Sequence, residues 1–175
     1  MRFSDEIKDK ETQFEFIKDF IKIAEDETFH FSLLEERLHQ LNSHFGMFDV
    51  HDKLWKNCLN TKENFTARIA VISLVQEPRG LDAGPRLINK LKSMGDETSA
   101  NIMKKIVEDE VSHVKLGMKW FKIICNLKGI TNYEQNFKRI CEEYLTSPIF
   151  PPFNDELRKK ADMPQNWYKN TKIST

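Results

Sequence analysis

Apolar residues recur at steps of three and four along most of the chain, which is typical of amphipathic helices. One such stripe lies in the first quarter and comprises Phe16, Phe20, Ile23, Leu34, Leu41 and Phe45. A second lies beyond the middle and comprises Met103, Ile106, Trp120, Ile124 and Leu127. A stripe with this period marks the face of a helix that packs on a core, and no stretch shows the alternation of a strand. The sequence therefore predicts an all-α protein.

Prolines, glycines and polar clusters divide this pattern into separate helices. Three long helices are predicted over residues 12–43, 62–77 and 97–128. Shorter ones are predicted after Asp52 and over residues 85–94 and 131–145. Pro78 is expected to end or kink the second long helix, because proline disfavours helix in the preceding residue, and residues 79–85 are predicted to form a turn.

The composition changes after Ser147. This last part of the chain contains Pro148, Pro151, Pro152 and Pro164, together with Trp167 and Tyr168. Proline is poorly tolerated inside helices, so we expect an extended tail laid on the bundle. The predicted organisation is a helical domain over residues 1–147 and a packed C-terminal tail over residues 148–175.

A D-E-x-x-H motif occurs twice and places polar groups within the two apolar stripes. The first copy contains Glu27 and His30, and the second contains Glu110 and His113. Residues three apart share a helix face, so each glutamate and histidine would project together toward the core. An isolated ionised carboxylate there would cost several kcal/mol, which a metal ion would offset. A hydrogen-bonded polar layer without metal is the alternative.

Glu77 is the candidate for a further, bridging ligand. It ends the helix predicted between the two motifs, and the residues at helical spacing before it are Ser73, Ala70 and Thr66. These side chains are small, which suits a helix that passes close to a metal site. The alternative is that Glu77 pairs with Arg79 at a helix end.

Together these residues predict most of a dinuclear metal site. A glutamate on one helix and Glu-x-x-His on another form half of the di-iron or di-manganese site of ferritin-like four-helix bundles. The five visible ligands are Glu27, His30, Glu77, Glu110 and His113. A sixth glutamate should precede them on an earlier helix, which we expect to be missing from this chain. Carboxylate and imidazole ligands without thiolate favour iron or manganese, with zinc as an alternative.

Three neighbouring residues extend this interpretation. Asp26 and Asp109 each precede a ligand glutamate and point about 100° away from it on a helix. Each is expected either to accept the N–H of a histidine on the neighbouring helix or to be solvated. Gly117 lies one turn beyond His113, where it would either leave room for oxygen or a substrate or permit close helix packing.

Composition narrows the partners and the compartment. The 175 residues include 27 basic and 27 acidic side chains, so the net charge is zero. Such balance gives no electrostatic case for a nucleic-acid or membrane-surface partner. No apolar run approaches the roughly 20 residues of a membrane span. The three cysteines lack C-x-x-C spacing, so we expect a reduced, cytoplasmic protein. With no nucleic-acid or membrane partner indicated, we expect its substrate to be a small molecule.

Five motifs resemble those of a bacterial ferritin-like family that is still catalogued as a domain of unknown function. They are D-E-T-F-H-F-S-L-L-E-E-R-L, V-H-D-K-L-W, E-P-R-G-L-D-A-G-P, D-E-V-S-H-V and P-P-F-N, at residues 26–38, 50–55, 77–85, 109–114 and 151–154. The resemblance implies an N-terminally truncated ferritin-like helical bundle and a dinuclear metal site with the five ligands above. Pro78 replaces the alanine usual in the family, which predicts a distorted helix just after Glu77.

Three functions fit these expectations. The first is a di-iron or di-manganese oxidoreductase or oxygenase that acts on an unknown small substrate. The second is a truncated, catalytically inactive helical interaction module. Because the first helix is expected to be missing, Phe16, Phe20 and Ile23 would lack a neighbour in the monomer, and either a homodimer or the C-terminal tail would cover them. The third is an enzyme like the tRNA hydroxylases, which the neutral charge disfavours.

Overall fold

In a computed structural model of the chain, residues 4–169 and 171 are described. Within these residues the protein is an all-α bundle without strands, which confirms the predicted fold class. A short 3-10 turn over Ser4–Glu6 precedes the helices. The helices are α1 (Lys10–Gln40), α2 (Lys53–Asn60), α3 (Phe65–Arg68), a π-helix (Ile69–Gln76), α4 (Pro78–Ser93), α5 (Glu97–Leu127), α6 (Tyr133–Tyr144), α7 (Asp155–Lys160) and α8 (Gln165–Tyr168).

Aspartate caps determine where the two longest helices begin. Asp9 Oδ2 accepts a hydrogen bond from the backbone N–H of Thr12 at 2.8 Å, and Asp96 Oδ1 accepts one from that of Ser99 at 2.9 Å. A cap of this kind satisfies a first-turn N–H that has no partner within the helix. The caps thus help to set the register of α1 and α5, which carry the two D-E-x-x-H motifs.

The turn predicted over residues 79–85 is wrong, because α4 runs without a break from Pro78 to Ser93. Pro78 occupies the first position of α4, where a missing N–H costs little. The turns before it form a π-helix, and the N–H of Glu77 bonds to the carbonyl of Ile72, five residues back, at 3.1 Å. The distortion expected just after Glu77 is not found, because the widened helix precedes Glu77, which lies at the junction of the π-helix with α4.

The π-helix, α3, α4 and α5 enclose the core. Phe16 of α1 packs edge-on against Phe65 and Trp120, with ring centroids 5.3 and 5.0 Å apart. Phe16 and Ile23 are only 5% and 7% exposed, and Phe20 is half-buried. The expectation that these three residues lack a neighbour in the monomer is therefore wrong, because aromatic rings of α3 and α5 cover this end of α1.

The apolar stripe predicted burial for three residues near the end of α1 and just after it, but they are exposed. Leu34, Leu41 and Phe45 are 42%, 52% and 69% exposed. Arg37 Nη2 contacts Asp96, the cap of α5, at 2.9 Å, so α1 extends past the start of α5. In the described part of the chain, the residues beyond this contact therefore have no long helix to pack against.

The prediction of an extended C-terminal tail is wrong in part, because the segment contains the short helices α7 and α8. Met163 and Trp167 are buried in the core. The guanidinium of Arg158, only 1% exposed, binds both carboxylate oxygens of Asp82 on α4 at 2.9 and 2.6 Å. This ion pair and the buried side chains fasten the segment to the bundle, while residues 170 and 172–175 of the predicted tail lie outside the described residues.

Candidate metal centre

Helices α1 and α5 run antiparallel and bring the two motifs opposite each other. Lys119 of α5 contacts Asp19 near the start of α1 at 2.8 Å, whereas Arg37 near its end meets the start of α5. Between these contacts the rings of His30 and His113 lie 5.9 Å apart, centroid to centroid. His30 is 3% and His113 1% exposed, so both imidazoles are in the protein interior.

Each histidine is hydrogen-bonded to the aspartate of the opposite motif. His30 Nε2 donates to Asp109 Oδ2 at 2.9 Å, and His113 Nε2 donates to Asp26 Oδ2 at 3.3 Å. An ionised carboxylate can only accept, so Nε2 carries the proton in both rings. A neutral ring then keeps a free lone pair on Nδ1, as in a metal-bound histidine supported by a carboxylate. Both Nδ1 atoms are buried, and among the described residues neither makes a hydrogen bond of good geometry.

A lysine one turn earlier holds each of these aspartates. Lys22 contacts Asp26 at 2.9 Å, and Lys105 contacts Asp109. Lys22 first, and His113 after it, lower the pKa of Asp26; burial opposes both. The two lysines were not among the predicted site residues, although K-x-x-x-D spacing in both helices is a signal for such a pair.

The glutamates converge on the unpaired ring nitrogens. Glu27 Oε1 lies 3.2 Å from His113 Nδ1 and 3.5 Å from His30 Nδ1, and Glu110 Oε2 lies 3.5 Å from His113 Nδ1. Ligand atoms of Glu27, Glu110 and His113 all lie within 4.8 Å of one another. Two ligands bound at right angles, each about 2.1 Å from an ion, would be about 3 Å apart. The three residues are therefore spaced so that they could hold one metal ion.

Glu77 lies beside this group but outside the set of atoms within 4.8 Å. Burial, and after it the negative charge of Glu110, raise the pKa of Glu77 to about 8. The side chain of Glu110 also packs near Gly80, one turn beyond Glu77, since a Cβ at Gly80 would lie 3.6 Å from Glu110 Cγ. The alternative ion pair with Arg79 is not formed in the described chain, where Arg79 is exposed and has no carboxylate partner.

In the protein without metal, a proton balances part of the negative charge. Burial would lower the pKa of His113, but the carboxylates of Glu110, Glu27 and Asp26 outweigh it and raise this pKa to about 10. The same contact with His113 lowers the pKa of Glu27. A metal ion bound at Nδ1 would take the place of this proton.

Gly117 permits close packing between α5 and the π-helix. A Cβ at this position would lie 2.6 Å from Ser73 Cβ and 3.3 Å from the Ser73 carbonyl oxygen. The second of the two explanations for this glycine is therefore the correct one. The wall of the site formed by α5 and the π-helix is closed, whereas the side chain of Glu27 is 51% exposed, so the site opens beside α1.

Comparison with known proteins places the chain in a family. A family profile described as "Protein of unknown function (DUF455)" matches residues 1–169. The chain belongs to this family. A Haemophilus influenzae relative named "Uncharacterized protein" is 36% identical over 115 residues, which is 66% of this chain and 40% of the relative. The family match confirms the resemblance to a family catalogued as a domain of unknown function.

Two further observations concern solved structures and membrane spans. No solved structure matches the chain. None of the helices in the described residues combines the length and the apolar character that a membrane span requires.

Proposed function

We propose that Glu27, His30, Glu77, Glu110 and His113 form a ferritin-like dinuclear metal centre that supports oxidoreductase chemistry on a small molecule. The observation that carries this proposal is a set of unpaired atoms. Among the described residues, five buried side-chain N or O atoms lack a hydrogen-bond partner, and four of them belong to these residues: His30 Nδ1, Glu77 Oε2, Glu110 Oε2 and His113 Nδ1. A buried atom of this kind costs about 1–3 kcal/mol when it is left unpaired. In the metal-free protein the proton on Nδ1 of His113, an atom 3.2 Å from Glu27 and 3.5 Å from Glu110, offsets only part of that cost.

A cation among these lone pairs would remove that cost. Glu27, Glu110 and His113 would hold one ion, because their ligand atoms are already within 4.8 Å of one another. His30 and Glu77 are then the residues available to a second ion. Mixed carboxylate and imidazole ligands without a thiolate favour iron or manganese, with zinc as an alternative.

The protein residues would orient the ligands and control protons. Two redox-active ions at such a site supply the capacity to reduce oxygen. Asp26 and Asp109 hold the imidazole rings so that Nδ1 faces the glutamates. Glu77, with a pKa of about 8, carries a proton at neutral pH in the metal-free protein and can release it when the site fills. A substrate would approach from the side of Glu27, where the site is open.

Oxygen consumption by the iron-loaded protein tests the proposed chemistry. The protein would be loaded anaerobically with Fe(II), then mixed with oxygenated buffer, while an electrode follows oxygen and absorbance follows iron oxidation. We expect consumption well above that of free Fe(II), and loss of the excess in Glu110→Gln. Glu108→Gln, an exposed carboxylate on the same helix, is the matched control. Iron that binds but oxidises no faster than free Fe(II) would refute the oxidoreductase assignment.

A second candidate function is a helical interaction module that forms a homodimer. The observation that favours it is a group of exposed apolar side chains on the end of α1 and the segment that follows. Its members are Leu41 (52% exposed), Phe45 (69%), Phe48 (73%), Val50 (87%) and Trp55 (66%). Large exposed apolar patches mark interaction sites, and these five side chains lie within one stretch of about 15 residues.

Sedimentation equilibrium distinguishes this role from that of a monomeric enzyme. We expect a concentration-dependent dimer that dissociates in the double variant Phe48→Ser with Trp55→Ser. Phe14→Ser, which changes an exposed phenylalanine at the other end of α1, should leave the dimer intact. A monomer at all concentrations would exclude the homodimer.

A further inference from the structure

A small polar pocket lies between α2, the junction of the π-helix with α4, and the loop that follows α6. Its volume is about 160 Å³. Sites for drug-sized ligands measure about 300–1,000 Å³, so this pocket fits a small group rather than a whole large ligand. None of its lining residues belongs to the proposed metal centre, and the inference below does not depend on that centre.

The side chains around the pocket are strongly biased toward positive charge. Lys53, Lys56 and Arg79 line it, and no carboxylate does. Lys56 pairs with Asp52 at 2.9 Å, but both groups are mostly exposed. In the part of the chain that the structure describes, Lys53 and Arg79 have no acidic partner. The pocket therefore holds at least two positive charges that no acidic group of the described residues neutralises.

Helix α2 turns its charged face, rather than its apolar face, toward the pocket. Lys53, Lys56 and Asn57 lie on one face of α2, and that face borders the pocket. The opposite face carries Leu54 and Trp55, which are 54% and 66% exposed. An amphipathic helix normally packs its apolar face on the protein and leaves its charged face in solvent. Here the charged face points toward a concave part of the protein, as an anion-binding role would require.

We propose that this pocket binds a phosphate group, either as free phosphate or as part of a small phosphate monoester. Arg79 supplies a guanidinium fork, the two lysines supply ammonium groups, and Asn57, Gln76 and Thr146 add amide and hydroxyl donors. A phosphate presents three or more oxygens to such donors, whereas a carboxylate presents two. The number of donors around one small cavity therefore favours the tetrahedral anion. Because the cations are exposed, binding weakens with added salt.

The test is an NMR titration of the isotope-labelled full chain with inorganic phosphate at constant ionic strength. We expect saturable shifts of the backbone amides of Asn57, Gln76 and Thr146. Arg79→Gln and Lys53→Gln should each weaken binding about tenfold, because each removes a charge-assisted donor. Lys18→Gln, which removes an exposed and unpaired lysine from α1, should leave the affinity unchanged. Equal affinity in all three variants, or shifts that rise linearly and spread over other lysines, would overturn the proposal.

Two further titrants identify the source of the phosphate group. Glycerol 3-phosphate that binds at least as tightly as inorganic phosphate indicates a phosphate monoester as the ligand, and weaker binding indicates the free anion. Acetate at the same concentration serves as the carboxylate comparison. If acetate binds as tightly as phosphate, the phosphate assignment is wrong. Metal content measured on Arg79→Gln should match that of the unmodified protein, which separates this pocket from the metal centre.

Discussion

Metal binding at the proposed centre should be steeply pH-dependent, because the metal and a proton compete for His113. The pKa of this residue is about 10, since three carboxylates around it outweigh its burial. At pH 7, three pH units below that value, only about one ring in a thousand is neutral. Binding through Nδ1 of His113 must displace the proton, and this proton alone should raise the apparent affinity about tenfold for each pH unit below pH 9.

Glu77 adds a second proton to this competition at lower pH. Burial raises its pKa to about 8. If Glu77 is a ligand, it must release its proton as well, and the dependence below pH 8 should steepen toward about a hundredfold per pH unit. The pH profile thus counts the protons that metal binding displaces.

Competition between the protein and a chromophoric chelator for Mn²⁺, at pH 6.5, 7.5 and 8.5, measures these affinities. Calorimetry in buffers of different ionisation enthalpy counts the released protons directly. Asp26→Asn should weaken Mn²⁺ binding about 10- to 100-fold, because it removes the carboxylate that orients His113. Asp52→Asn, at an exposed carboxylate distant in sequence, is the control. A Mn²⁺ affinity that stays constant from pH 6.5 to 8.5 would refute this reasoning.

Three further predictions concern stability. The pKa of His113 rises on folding from 6.5 to about 10 and that of Glu77 from 4.5 to about 8. The stabilisation from protonating each group is fully present below the unfolded pKa and is lost as the pH rises through the folded pKa. The free energy of unfolding of the metal-free protein, measured with urea, should therefore fall between about pH 5 and 10. A flat profile would contradict this. Gly84→Ala should cost about 1–3 kcal/mol by the same assay, because the new Cβ would lie 2.1 Å from Val107 Cγ2. Val107→Ala in the same chain should recover part of that loss, since the remaining Val107 Cβ is 3.5 Å away, and an additive double variant would argue against the clash. Arg158→Met should cost about 3–5 kcal/mol in thermal or urea unfolding, because the buried carboxylate of Asp82 on α4 then keeps only the N–H of Asn154 as a donor and has no positive charge beside it. A loss below about 1 kcal/mol would contradict this prediction.

The bounds of the two motif helices could be predicted closely from the sequence. Residues 12–43 and 97–128 were predicted, and the structure has Lys10–Gln40 and Glu97–Leu127. Long amphipathic periodicity and strong cap residues make such helices readable, and the same spacing placed His30 and His113 on interior faces. The predicted turn over residues 79–85 is wrong because Pro78 begins α4, where its missing N–H costs little, and because Gly84 serves as a close contact with Val107 of α5, so α4 continues even though Pro85 lies inside it.

Other features depend on how helices pack and could not be read from spacing alone. Leu41 and Phe45 share the apolar stripe of α1, but periodicity does not reveal whether another element covers a face. The crossed hydrogen bonds between the two motifs depend on the relative register of α1 and α5. The spacing within one helix does not give this register. It is set by the antiparallel packing that places Asp26 beside His113 and Asp109 beside His30.

The central claim is that a cation gathers these buried carboxylates and imidazoles. Its most direct test is elemental analysis of protein that has been reconstituted with Fe(II) or Mn²⁺ and dialysed to remove weakly bound metal. The account predicts close to two ions per chain, a large loss in Glu110→Ala, and no loss in the control Glu108→Ala. Protein that retains no iron, manganese or zinc, or a Glu110→Ala variant that retains as much metal as the unmodified chain, would contradict it.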